Sequence, residues 1–548
     1  MFKQLLTPVA SSLPLSFLVA VVPIVVVLVL LGVLRRPAWQ ASLAGLVTAL
    51  VIAVAVWRFP LGMALDSVAA GVTFALWPVM WIVVNALLLY NVAVLSGRFD
   101  AFRDWLLDHL PNDRRVVLVV IGFCFGCLLE GIAGFGTPVA ITSALLILVG
   151  FPPLEALTFT LIFNTAPVAF GALGVPVTVL GKVTGLPAVE LGAMIGRQLP
   201  FFALMLPFYV MAIYGGWRSV RALWPVLLVA GGSFAITQFV ASNFLNYALT
   251  DVLSSLVALL ATLGFMRLWS PEHDPAFAIA SVPRGPTPLR VARAVGADVP
   301  CGRTPGAIPT WQGWIPWILV SAVVIIWTYA KIATVGQQTI AWPGLDGRVF
   351  ITLYHKAYAA KWGFQPLGTG TAILLAALIT AAIVGLRPGQ FVEAIVLTWK
   401  QSRIAILTVA LIIGLAYLMN YSGLTYTLGL GASSVGALFP ILSPFLGWIA
   451  VFLSGSDTSG NALFGNLQVV AGNQLGLNPV LIAATNSSGG VMGKMISPQN
   501  IATGVSVTNL KGQEGVVFAR TFKHSVFLTF LLGLLVMLQQ YVVPWMIP

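Results

Sequence analysis

The chain has 548 residues, of which 59% are hydrophobic and only 8% charged. A soluble globular domain carries about 25% charged residues, so an ordinary soluble domain is excluded. The net charge of +12 calls for no nucleic-acid partner, because Lys and Arg gather in the cytoplasmic loops of polytopic membrane proteins.

Apolar runs of about 20 residues, enough to span a bilayer, recur along the chain. The first, Leu13 to Leu34, is too long for a signal-peptide core and reads as a span. Arg35-Arg36 follows, then a span near Ala38–Trp57 and a long apolar stretch near Met63–Ser96, broken by Gly71 and Pro78. Arg98–Arg115 is charged, with Phe102, Trp105, Leu106 and Leu110 on one helical face, the pattern of a helix on the membrane surface. Cys124 and Cys127 form a C-x-x-C in an apolar helix without a nearby His, which reads as close helix packing rather than redox or metal chemistry.

Val116–Gly150 does not divide into two ordinary spans. Glu130-Gly131-Ile132-Ala133-Gly134-Phe135-Gly136-Thr137-Pro138 interrupts it with breakers and small residues. Such backbone survives at membrane depth only inside protein or beside a water-filled cavity, so two short half-helices meeting at a tip are expected. Spans follow near Ala188–Tyr214, Ala222–Asn243 and Ala248–Leu268. The loop 269–310 is rich in Pro, Gly and Arg, including Arg284, Arg290, Arg293 and Arg303. Trp314–Ala330 spans again, and Lys331–Pro366 is a polar, aromatic loop.

The second half repeats the first. Asn164/Asn486, Gly171/Gly493 and Pro176/Pro498 each lie 322 residues apart, with Thr165/Ser487 conservative between them. Leu129-Glu130-Gly131 and Gly136 match Leu453-Ser454-Gly455 and Gly460 at an offset of 324. Pro153/Pro479 and Ser96-Gly97/Ser422-Gly423 match at 326. With Arg35-Arg36 cytoplasmic, the basic segments 98–115, 218–221 and 269–309 fall inside, and the repeats start on opposite sides. The expected fold is an all-α polytopic membrane protein with two inverted repeats, each carrying a re-entrant helical hairpin, and about 12–14 transmembrane helices. The divisions are an N-terminal span (1–37), a first repeat with extra spans (38–268), the cytoplasmic loop (269–310), a span and polar loop (311–366), and the second repeat with a C-terminal span (367–548).

The chemistry sits at the tips and at the Asn-centred units. The second tip, Ser454–Asn461, holds Asp457 among hydroxyls and an amide. An ionisable group inside a membrane is a functional candidate, and Lys494 is its expected partner. Lys494 also suits an anionic substrate, with Gly489, Gly490 and Gly493 permitting close approach of the backbone. Glu130, among Leu129, Ile132 and Phe135, is costly to ionise and suits loading and release of a proton. Glu130 is therefore expected to carry the proton and Asp457 to orient the lysine. The expected substrate-binding set is Gly134, Gly136, Thr137, Asn164, Thr165, Ser456, Thr458, Ser459, Asn461, Asn486, Ser487, Ser488 and Lys494. Arg403 reads as an interface anchor. No P-loop, catalytic triad or metal set is present in the sequence, and no cofactor is expected.

These stretches resemble the L-lactate permease family. The resemblance rests on Leu129–Ala140 (LEGIAGFGTPVA), Gly455–Gly465 (GSDTSGNALFG), Gly493–Ala502 (GKMISPQNIA) and Gly414–Tyr417 (GLAY), and covers nearly the full chain. It implies proton-coupled uptake of L-lactate, with D-lactate and glycolate as further substrates, across a bacterial inner membrane, and not an enzyme. The partners implied are a small monocarboxylate, a proton and the lipid bilayer, with the oligomeric state open and a homodimer one option. The alternative is a carrier of the same fold for another organic anion, coupled to sodium. A single intramembrane lysine favours a monoanion over a dicarboxylate.

Overall fold

The computed structural model describes residues 1–32, 34, 36–132, 137–272, 274–279, 308–508, 510 and 513–548. Among these, ten helices are long and apolar enough to cross a membrane, or eleven if the pair Pro153–Phe163 and Val168–Thr184, bent by 64°, counts as one span. That count takes each continuous helical run once, including runs long enough to hold two spans, such as Ala188–Leu245 at 58 residues. Leu199–Val240 holds 42 residues in two helical arms, together about 63 Å of helix at 1.5 Å per residue, enough for two membrane crossings. It turns at Gly216, whose φ of 68° needs a glycine. The spans separated in sequence at 214–222 are its two arms.

Two sets of segments define the ends of the molecule. At one end, Arg114 donates to the Ala276 carbonyl (2.7 Å), Asn112 accepts from the Ile279 amide (2.8 Å), and Phe102 stacks edge-on against Trp314. At the other end, Phe2–Lys3 pairs in parallel with the strand Val349–Ile351, which pairs antiparallel with Lys356–Ala357. Lys182 donates to the Lys361 carbonyl, and Asn473 to the Tyr354 hydroxyl, at that same end. The single helix Ile315–Tyr329 joins the two ends. The Arg-rich part of the loop 269–310 falls outside the described residues.

The apolar face of Arg98–Asp108 is not left to lipid. Phe102 and Leu106 are buried, and Trp314, Trp317 and Phe125 pack on Phe102. Two small sheets occupy the polar loop, the second pairing Gln338–Ala341 with Lys361–Phe364. Elsewhere the described chain is almost wholly helical.

Each half contains the same succession of elements. In the first, the helical run Arg114–Ile132 leads to residues 133–136, which lie outside the described residues, Thr137–Leu148 follows, and Pro153 opens the helix Pro153–Phe163, which breaks before Val168–Thr184. In the second, Phe439–Ser454 reaches its tip at Gly455, Asp457–Gln474 returns, Pro479 opens Pro479–Lys494, and a break precedes Pro498–Thr508. The first hairpin starts at the Arg114 end and the second closes at the Asn473 end, so they enter from opposite ends. That is the inverted relation the sequence predicts.

The two copies differ where the sequence aligns them most closely. Asn164 terminates its helix, whereas Asn486 lies in the middle of one. Pro167 explains the early stop, since it has no N–H for the Phe163 carbonyl four residues back and its ring clashes with that carbonyl. The second copy has Gly489 at that place and continues to Lys494. Residues 486–494 are thus a helix, not a glycine-rich turn. Their glycines serve helix packing: a methyl at Gly489 would lie 2.1 Å from the Pro444 carbonyl oxygen, and one at Gly493 2.3 Å from that of Trp448.

Candidate functional site

The helix Pro479–Lys494 carries the site because it touches both halves. Its last residue, Lys494, is 4% exposed and donates to Glu130 Oε1 at 2.5 Å. Glu130, 2% exposed, ends the entering arm of the first hairpin and accepts at Oε2 from Asn164 Nδ2 at 3.0 Å. A methyl at Gly171 would lie 3.1 Å from Glu130 Oε1. The next three residues, Ala172, Leu173 and Gly174, all have left-handed backbone, with φ of 46°, 57° and 76°. For Ala172 and Leu173 this costs about 1–2 kcal/mol each. A strained turn therefore closes over the carboxylate.

At the middle of the same helix, around Asn486 and Ser487, a second network begins. Ser456 caps the helix Asp457–Gln474, accepting from the Ser459 amide at 3.4 Å, after a left-handed Gly455. This cap puts Asp457 in the first helical turn, where its Oδ2 accepts from the Ser487 hydroxyl at 2.5 Å and from Asn461 Nδ2 at 3.2 Å. Asn461 also donates to the Pro176 carbonyl of the first half (3.2 Å), and its Oδ1 accepts from Asn486 Nδ2 at 2.9 Å. Asn486 Oδ1 in turn accepts from Gln468, which is fixed by Ser443. The chain of amides leaves Asp457 Oδ1 buried without a partner among the described residues, together with the hydroxyls of Ser488 and Ser497.

The expected Asp457–Lys494 pair is not formed; Lys494 pairs with Glu130 instead. Helix geometry explains why. Ser487 and Lys494 are seven residues apart, about 10 Å along the axis. A carboxylate held at the level of Ser487 is thus two turns away from the lysine. Asp457 does not orient Lys494 through a direct contact; it anchors the hydroxyl and amide network that fixes the helix bearing it.

Of the expected binding residues, the structure gathers Asn164, Ser456, Asn461, Asn486, Ser487, Ser488 and Lys494 around the two networks. Thr458 and Ser459 are buried in the first turn of the same helix. Thr165 is buried but turned away, donating to the Ile162 carbonyl of its own helix end. Gly134 and Gly136 lie outside the described residues, as does the side chain of Thr137. Arg403 is exposed, as an anchor at an interface would be.

Sequence reasoning missed four groups. Asp251 is 1% exposed, its two oxygens have no partner among the described residues, and it lies beside Glu130 and Lys494. A lone acid inside an apolar span is the signal that marks it. Gln468 and Asn500, which donates to the Lys494 carbonyl at 3.1 Å, are ordinary polar positions until the fold brings them in. Ser497 sits against the second tip: a methyl at Gly455 would be 2.8 Å from its hydroxyl oxygen. Among the described residues, no group of three or more His, Cys, Asp or Glu is placed to hold a metal ion.

The site thus offers one cation already neutralised by a carboxylate, further carboxyl and hydroxyl oxygens with free valences, and two broken helices that close on it from opposite ends. Any further anion at Lys494 would compete with Glu130 for it.

Residues 16–543 match the family described as L-lactate permease. The L-lactate permease of Salmonella typhimurium is 41% identical over 553 residues, covering 98% of each chain. That of Bacillus subtilis is 39% identical over 574 residues and covers 100% of both. The glycolate permease of Escherichia coli is 40% identical over 551 residues, covering 97% of each. On these matches and the ten membrane-length helices, this multi-pass membrane protein belongs to the L-lactate permease family.

Proposed function

We propose that this chain is a secondary transporter that takes up L-lactate, and with it D-lactate and glycolate, together with a proton across the bacterial inner membrane, and that it catalyses no chemical conversion. The observation that carries the reading is the buried Lys494–Glu130 pair, held between hairpins that enter from opposite ends. In the resting site the lysine and glutamate charges cancel. A lactate anion that takes Lys494 leaves Glu130 behind, and a buried carboxylate stripped of its partner is strongly unfavourable. Glu130 therefore accepts a proton as the lysine passes to the substrate.

The site stays neutral in both states: lysine with glutamate, or lysine with lactate beside a protonated Glu130. That neutrality matters, because moving one charge costs about 2.3 kcal/mol per 100 mV of membrane potential. The single lysine matches the single carboxylate of lactate and glycolate. Asp457 Oδ1 and the Ser488 hydroxyl, both without partners among the described residues, lie about two helical turns from Lys494, in the second network. The repeats 38–268 and 367–548 would rock against each other to expose the site alternately. Relatives named lactate and glycolate permeases support this substrate class.

The test is uptake of labelled lactate into proteoliposomes. An inward proton gradient should drive accumulation, and a membrane potential alone should not. Accumulation driven by a sodium gradient with no response to pH would replace this reading with the sodium-coupled alternative.

A further inference from the structure

The described carboxyl next to the Glu130–Lys494 pair is Asp251, and nothing in the exchange just described uses it. It stands in the first turn of the helix Thr250–Phe265. A methyl at Gly131 would lie 2.7 Å from Asp251 Cβ, so the helix packs directly against the residue after Glu130. The titratable groups that face it are Glu130 and Cys127 from the first hairpin arm and Lys494 from the second half. Its two oxygens are buried and accept no hydrogen bond from any described residue. A buried carboxylate with no donor is far costlier than the neutral acid. A neutral acid here has a free hydroxyl donor and a free carbonyl acceptor, the two halves of a proton relay.

The helix also supplies a direction. Ser255, one turn on and on the same face, is fully buried with its hydroxyl unpartnered among the described residues. Thr262 follows after two further turns, and meets the Cys124 thiol. Beyond it the chain reaches 274–279, the segment that binds Arg114 and Arg115. That is the end of the molecule carrying the basic segments, hence the cytoplasmic end by the charge rule.

Resting on the symport reading above, we propose that Asp251 relays the proton of Glu130 to the cytoplasmic side. Protonated Glu130 gives its proton to the free carbonyl oxygen of Asp251, while the hydroxyl proton of Asp251 leaves toward Ser255 and then water. One O–H bond forms and one breaks at Asp251, Glu130 becomes a carboxylate ready to recapture Lys494, and one proton appears inside. Asp251 ends neutral, so it acts on the rate of proton release and not on the number of protons bound.

The test compares Asp251→Asn and Asp251→Glu in proteoliposomes, with the protein first checked for lactate binding in detergent. Asp251→Asn should slow uptake driven by a pH gradient at least tenfold, keep lactate–lactate exchange, and still take up one proton per lactate bound. Asp251→Glu, which keeps an acid, should restore most of the gradient-driven rate. Gradient-driven uptake at the wild-type rate in Asp251→Asn overturns the relay and leaves the symport reading standing. So does an Asp251→Glu variant as slow as Asp251→Asn, because the acid itself is then not what matters. Absence of proton uptake on lactate binding in the unaltered protein overturns the symport reading itself.

Discussion

Replacing Lys494 with methionine keeps most of the length of the side chain and removes its charge. The structure gives two separate consequences. Glu130 retains Asn164 as its donor and loses its counter-charge. Stranding one member of a buried ion pair costs roughly 3–5 kcal/mol. Lactate loses the cation that would hold its carboxylate, and truncating one partner of a buried charge pair costs roughly 2–5 kcal/mol. At about 1.4 kcal/mol per decade, the affinity falls by at least about 30-fold and by up to several thousand-fold. The double variant Lys494→Met/Glu130→Gln removes both charges, so it should regain most of the lost stability and none of the affinity. Thermal unfolding in detergent and calorimetric titration with lactate read the two effects independently. Wild-type affinity in Lys494→Met would refute the placement of the anion. A double variant no more stable than Lys494→Met would refute the claim that the stranded carboxylate causes the instability.

Other expectations follow from the same geometry. Gly447→Ala would put a methyl 1.9 Å from the Asn486 carbonyl oxygen; it should prevent recovery of folded protein from the membrane, whereas Gly472→Ala, with its nearest contact at 3.4 Å, should be recovered normally. Gly490→Ala would place a methyl 2.4 Å from Asp457 Oδ1 and 2.6 Å from Val451 Cγ2; it should raise the KM for lactate and glycolate while leaving the protein folded, as measured by transport and by unfolding temperature. Asn461→Ala removes the side-chain donor to the Pro176 carbonyl, while Asp457 keeps Ser487 and Asn486 keeps the Gly460 carbonyl; a lost buried hydrogen bond of this kind costs about 1–3 kcal/mol, which a lowered unfolding midpoint would show.

Much of the fold is legible in the sequence because glycine and proline punctuate it. The hairpin tips, the proline-opened helices at Pro153 and Pro479, and the opposed entry of the two halves all follow from breakers and basic loops. The site is less legible, because Glu130 and Lys494 are 364 residues apart and no local pattern joins them. Asp457 looks like the partner of Lys494 only until helical rise is counted from Ser487. By sequence the glycines of 486–494 suit close approach of the backbone to a substrate, yet each of Gly489 and Gly493 faces the backbone of a neighbouring helix, which the sequence cannot reveal. Asp251 was within reach: it is an acid at the start of an apolar span. What it stands beside emerges only from the packing of Gly131.

The central claim is that lactate and a proton enter the site together because both act on one ion pair. Calorimetric titration with lactate in two buffers of different ionisation enthalpy counts the protons directly. The unaltered protein should take up close to one proton per lactate, so its affinity should weaken about tenfold per pH unit as pH rises. Glu130→Gln should take up none and bind with no such pH dependence, since Lys494 is already free for the anion. No proton uptake in the unaltered protein, or one proton still taken up in Glu130→Gln, would contradict the account.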